Sequence, residues 1–152
     1  MNRREAVAVE CLVAGNAQGE VVRLGAALSF WGGFSLEDGT VCDVNHPDHG
    51  VCLAGRVVVM PGGRGSSSSS SVLLEAARLG IHPRALVIAE RDPILVVGAL
   101  VAELLYGVSI PVVRAALPLS QGFGSGARVI VNAAPGNAFV APVPKNSNSG
   151  IK

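Results

Sequence analysis

Arg64, Gly65, Ser66 and Ser67 open a run of six serines that follows Pro61, Gly62 and Gly63 directly. This combination could do chemistry. A guanidinium offers a forked cation, glycines let backbone approach a ligand closely, and hydroxyls can donate or accept protons. The elements on either side give the loop its setting. Residues 57–60, Val-Val-Val-Met, read as a short buried strand, whereas Val72, Leu73, Ala76, Ala77 and Leu79 recur at helical spacing until Gly80 ends the pattern. The order is strand, glycine-rich loop, serines, helix. Such a loop lies at a helix N-terminus, where unpaired N–H groups and the positive end of the macrodipole attract an anion. Six serines in a row can form a flexible linker, but these sit between two well-patterned elements instead of between shifts in composition, which makes the linker the weaker reading. The hydroxyls of Ser68, Ser69 and Ser70 are expected to serve the first N–H groups of the helix.

A second group of reactive side chains, Asp43, His46, Asp48 and His49, lies within Asp-Val-Asn-His-Pro-Asp-His-Gly. Its density suggests a metal site. Pro47 and Gly50 mark an irregular loop, however, and no further His or Cys stands at a conventional ligand spacing, so a loop whose histidines line a site is the stronger reading. Ahead of it, Ser29-Phe30-Trp31-Gly32-Gly33-Phe34 holds the single Trp and two of the four Phe. Trp31 is either the core anchor of a tight turn or a contact for a ligand or second chain.

The remaining pattern places these groups. Alternation over residues 6–13 and again over 20–24, with Gly15-Asn16 between, reads as two strands joined by a turn, and residues 41–44 as a further short strand. Residues 85–89 and 110–115 are buried-strand candidates. Asp92 and Pro93 supply a cap and first-turn proline for a helix over 94–106, apolar nearly all round, that must be covered on more than one side. Alternating strands and helices argue for an α/β fold with parallel pairing. Gly122 to Gly126 reads as a loop and 128–133 as a strand. A domain over 1–134 and a C-terminal tail over 135–152, flexible or docked by a partner, complete the division.

Composition narrows the function. The 152 residues make one ordinary domain, and 49% hydrophobic against 15% charged leaves little polar residue for the surface. With 12 Lys and Arg against 11 Asp and Glu and no basic cluster beyond Arg3-Arg4, nucleic acid is not the expected partner. No apolar run approaches the roughly 20 residues that span a bilayer, and a cytoplasmic protein is the simplest inference. Cys11, Cys42 and Cys52 have no CxxC spacing and read as buried structural thiols. The serine loop lacks the lysine of a Walker A loop and the third glycine of a dinucleotide fingerprint, and no G-x-S-x-G elbow occurs.

Three stretches taken together, residues 28–33 (Leu-Ser-Phe-Trp-Gly-Gly), 46–50 (His-Pro-Asp-His-Gly) and 61–66 (Pro-Gly-Gly-Arg-Gly-Ser), resemble the small, swivel-domain subunit of aconitase X. The resemblance covers about residues 6–115. It implies a swivelling β/β/α domain that closes over a larger subunit carrying iron or an iron–sulfur cluster, the pair forming a heterodimer or larger hydro-lyase. Family members dehydrate cis-3-hydroxy-L-proline or mevalonate 5-phosphate. The family's serine base corresponds to Ser66, with Arg64, Gly65 and Ser67 as substrate-binding candidates and Trp31, His46 and His49 as site-lining ones. No metal ligand is expected on this chain. The expected reading is the small subunit of a dehydratase acting on cis-3-hydroxy-L-proline. The alternatives are the phosphomevalonate enzyme's small subunit and a non-catalytic module that binds an anion through the same loop.

Overall fold

The structure, a computed structural model, describes residues 6–116 and 123–144. Seven strands, β1 (Val7–Val13), β2 (Gly15–Arg23), β3 (Val57–Met60), β4 (Ala85–Ile88), β5 (Val112–Arg114), β6 (Arg128–Ala133) and β7 (Ala138–Pro142), close into a barrel in the order β1-β5-β4-β3-β2-β6-β7. The run from β2 through β3 and β4 to β5 is parallel, and the remaining pairs are antiparallel. A broken helical turn, α1 (Phe30–Gly33), and two helices, α2 (Ser69–Leu79) and α3 (Pro93–Tyr106), complete the described elements.

Period-two alternation in the parallel strands splits the core in two. Val57 and Val59 of β3, with Ala85 and Val87 of β4, fill the barrel interior together with Val113, Val129 and Val131. Val58, Met60, Leu86 and Ile88 point the other way and pack against Leu73, Ala76, Ala77, Leu95 and Ala99 of the helices. Strands buried on both faces must be apolar throughout, which accounts for the unbroken runs Val57–Met60 and Ala85–Ile88. The result is β/β/α, as the resemblance implies, and within the α/β class that the pattern predicts.

Both helices end as their sequences direct. Gly80 and Gly107 adopt left-handed backbone at the C-termini of α2 and α3, at φ 74° and 65°. At the start of α3, the Asp92 carboxylate accepts from Ile94 N and Leu95 N, and Pro93 occupies the first turn. Gly98 lets α2 and α3 touch, since a Cβ there would lie 3.0 Å from the Ser70 carbonyl oxygen. Leu95, Ala99 and Ala102 of α3 are buried, whereas Val97, Leu100 and Leu104 are exposed, so the described part of this chain covers only one side of that helix.

Four expectations need correction. Residues 7–13 and 15–23 are strands but not a hairpin: β1 pairs with β5 and β7, and β2 with β3 and β6. Only Ala14 separates them, fewer than the two residues a tight hairpin needs, and the chain passes from one pair of neighbours to another. Residues 41–44 form no strand: Val41 makes an isolated bridge with Phe34, and the neighbouring Thr40 one with Cys52. The domain does not stop at 134, because β7 lies between β1 and β6 and closes the barrel; residues 145–152 of the expected tail lie outside the described part. The thiols are not buried: Cys42 is exposed and Cys11 and Cys52 are half-buried. Cys11 sits in β1, where partial burial pushes its thiol pKa up.

Candidate functional site

The serine loop lies at the C-terminal end of β3, between that strand and α2. Its backbone is pinned to residue 28 by two bonds, Leu28 N to the Gly62 carbonyl and Arg64 N to the Leu28 carbonyl, both 3.3 Å. Two glycines are required by space. A Cβ at Gly63 would collide with the Asp92 carboxylate and stand 3.3 Å from Leu95 Cδ1. Gly65 is left-handed, φ 85°, and a Cβ there would come within 2.7 Å of Ser29 Oγ. The loop is thus pressed against α3 on one side and the Ser29 turn on the other.

A cavity of about 220 Å³ opens at this junction, lined by Gly63, Arg64, Gly65, Ser66 and Ser69 from the loop side and by Arg91, Asp92 and the first turn of α3 from the other. Two helix N-termini therefore face it. Around it, the backbone N–H groups of Gly65, Ser66 and Ser67 find no acceptor among the described residues. Consecutive open N–H groups beside a left-handed glycine form a nest for an oxyanion. Arg64 stands next to the nest with its side chain 60% exposed and, among the described residues, paired only with Asp43 at 3.4 Å, so its charge can meet a ligand. Arg91 is committed elsewhere: it pairs with Glu10, whose carboxyl is held below its usual pKa by the Arg91 hydrogen bond first and the charges of Arg91 and Arg114 besides.

Ser66 Oγ accepts the Ser68 N–H at 3.1 Å. A hydrogen bond into the oxygen favours its deprotonated form, as does the α2 N-terminus. The other serines divide differently from the expectation. Ser67 is exposed and does not line the cavity. Ser68 occupies the N-cap position of α2 but its hydroxyl makes no capping bond. Ser69, 4% exposed, accepts Trp31 N–H at 3.1 Å, and Ser70 donates to the Ile94 carbonyl oxygen at 2.5 Å. These two hydroxyls therefore tie α2 to α1 and α3 and do not serve the helix N–H groups. Those groups instead bond the Ser66, Ser67 and Ser68 carbonyls.

Of the more distant candidates, none lines the cavity. His46 is buried with both ring nitrogens used: Nε2 donates to the Ala26 carbonyl at 3.1 Å and Nδ1 accepts Asp48 N–H at 3.0 Å. It is a staple for its own loop, and Asp48 in turn accepts Gly25 N–H at 2.7 Å. His49 is exposed. Trp31 is 58% exposed while Phe30 and Phe34 on either side stack in the core, ring centroids 5.3 Å apart, so the anchor of the turn is the phenylalanine pair and the indole faces out. Among the described residues no three His, Cys, Asp or Glu side chains gather as a metal would require. The sequence reading missed Ser69 and the α3 turn at Asp92, whose cap signature was visible but whose approach to Gly63 was not.

With this geometry in place, the comparisons with known proteins are decisive. The family model of the aconitase X swivel domain matches residues 6–140. The chain belongs to that family. The aconitase X swivel domain here is 45% identical over 112 residues to the cis-3-hydroxy-L-proline dehydratase of Pseudomonas aeruginosa, covering 74% of this chain but 19% of that protein. It thus spans about a fifth of the length of that relative. It is 35% identical over 130 residues to the phosphomevalonate dehydratase small subunit of Archaeoglobus fulgidus, covering 83% of this chain and 91% of that one. A crystal structure of Thermococcus kodakaraensis aconitase X in its holo-form matches with a TM-score of 0.79 at 28% identity, over 92% of this chain and 99% of that chain.

Proposed function

We propose that this chain is the swivel subunit of an aconitase X-type dehydratase and that Ser66 takes the proton from the carbon next to the carboxylate of a 3-hydroxy acid. The observation that carries the reading is the position of Ser66 in the cavity lining, beside Arg64 and the open N–H groups of Gly65 and Ser66. Arg64 and the Gly65 to Ser67 N–H groups hold the substrate's oxyanion. Ser67 does not line the cavity, and on this reading its open N–H extends the nest beside it. The C–H electron pair moves toward the carboxylate as the proton passes to the Ser66 oxygen, and the resulting enolate-like charge develops beside fixed dipoles. It then forms the double bond as hydroxide leaves from the adjacent carbon. Iron or an iron–sulfur cluster belongs, on this reading, to a large partner subunit that the domain closes over in the cytoplasm, and the steps above use only this chain's residues.

The substrate we favour is cis-3-hydroxy-L-proline, on the strength of the identity to the Pseudomonas enzyme. Mevalonate 5-phosphate is the alternative that the archaeal small subunits support. Both are 3-hydroxy acids with an acidic C–H next to a carboxylate, so the same loop geometry suits either. Co-purification with a large partner, followed by assay of the pair against both compounds, tests the proposal. Dehydration of the hydroxyproline by the pair and by neither part alone is expected. An isolated chain that binds carboxylate or phosphate at the loop while the pair turns over neither compound would reduce it to an anion-binding module.

A further inference from the structure

At the end of the barrel opposite the serine loop, four neighbouring strands each bring one charged side chain to the rim. Arg84 immediately precedes β4, Arg56 immediately precedes β3, Glu20 lies in β2, and Arg128 opens β6. The order β4-β3-β2-β6 makes them consecutive, roughly 14 Å from first to last at the usual strand spacing. Pairing fixes the arrangement: Arg84 N donates to the Arg56 carbonyl at 2.8 Å, and Glu20 stands opposite Arg128 in the β2-β6 register. These four residues line one open cavity of about 460 Å³ together with Gln18, Gly19 and Gly55. Gly19 is part of the design of the rim, because a Cβ there would come within 3.3 Å of Arg84 Cδ; its absence leaves room for the arginine stem to lie across the strand.

The charges do not balance. Arg56 pairs with Glu20 at 3.2 Å, and neither Arg84 nor Arg128 has a carboxylate partner among the described residues. Three guanidinium groups around one cavity repel, and one carboxylate offsets only one of them. A chain with a net charge of +1 and only 15% charged residues has concentrated positive charge here. We infer that this rim is a second anion site, distinct from the serine loop, that takes a small multivalent oxyanion, phosphate or polycarboxylate, between Arg84 and Arg128. Planar guanidinium forks suit the paired oxygens of either group. The lining holds no large apolar side chain, so the ligand is hydrophilic throughout.

The test is an amide-resolved NMR titration of the full 152-residue chain with inorganic phosphate and, separately, with citrate at low ionic strength. Saturable shifts at Gly19, Gly55, Arg84 and Arg128 are expected from at least one of the two, and the tighter ligand identifies the source of the oxyanion. Arg84→Gln and Arg128→Gln should each weaken binding about tenfold or more, the scale of a lost charge-assisted hydrogen bond. Arg64→Gln should leave these shifts unchanged, and added sodium chloride should weaken them. Shifts confined to residues 63–69, no saturation with either anion at tens of millimolar, or unchanged binding in the Arg84→Gln, Arg128→Gln double variant would overturn the inference.

Discussion

Gly63→Ala tests whether the serine loop is held in place by its contact with α3. The added methyl would overlap the Asp92 carboxylate and press Leu95 at 3.3 Å. Leu95 is 1% exposed and cannot give way freely, so the carboxylate must rotate. Rotation breaks its bonds to Ile94 N and Leu95 N, 3.0 and 3.3 Å, and the loss of such a cap costs about 1 kcal/mol. Residual overpacking adds about 1 kcal/mol or more, giving a total of about 2–3 kcal/mol for the single substitution. Asp92→Ala removes the cap alone and should cost about 1 kcal/mol. If the clash is with that carboxylate, Gly63→Ala in the Asp92→Ala background should add little, leaving a coupling energy of about 2–3 kcal/mol. Urea denaturation of the four proteins in the cycle measures it. Strict additivity, or a Gly63→Ala protein as stable as the parent, would refute the claim that the loop rests on the α3 cap.

Three further outcomes are expected. Ser69→Ala leaves the Trp31 N–H without its partner and should cost about 1–3 kcal/mol; because Trp31 is the chain's single tryptophan, native-state fluorescence should shift as well, and an unchanged spectrum and melting temperature would contradict the assignment. His82 has a buried Nδ1 without a partner among the described residues, and burial first and the Arg84 charge second push its pKa below the ordinary value of about 6.5. The unfolded chain then binds the proton more readily, so this contribution to stability is complete above pH 6.5 and is lost as pH falls below it; His82→Gln should flatten the denaturation midpoint against pH over that range, and an unaltered slope would refute it. Arg64→Ala should raise KM of the proposed assembled enzyme while shifting stability by about 0–1 kcal/mol, because its sole partner among the described residues is Asp43 at 3.4 Å; a large fall in melting temperature with unchanged kinetics would make it structural.

The parallel half of the fold was legible because its signals are local. Val57–Met60 and Ala85–Ile88 are short β-branched or apolar runs bounded by glycine or proline, and Asp92-Pro93, Gly80 and Gly107 mark helix ends by their own conformational preferences. Closure of the barrel is non-local. Residues 138–142 alternate buried and half-buried, yet they stand among Pro135, Gly136, Pro142 and Pro144, and punctuation of that density reads as a tail until β1 and β6 are seen on either side. The serines illustrate a different limit. In six identical residues the side-chain type carries no information about role; the register at which α2 begins sends Ser69 inward, leaves Ser67 exposed and puts Ser66 in the cavity. His46 was legible as a ring in an irregular loop, but its two backbone partners, Ala26 and Asp48, are set by tertiary contact.

The proposed role of Ser66 as the base is tested most directly by solvent-deuterium exchange at the substrate carbon next to the carboxylate, measured on the proposed pair with Ser66→Ala. The substitution removes one oxygen from a loop whose fold depends on glycine, so association with the proposed large subunit should persist. Exchange and elimination should fall together, by about 10²- to 10⁴-fold for loss of a general base. Exchange at the parent rate in the Ser66→Ala enzyme would show that another group abstracts the proton and would contradict the account.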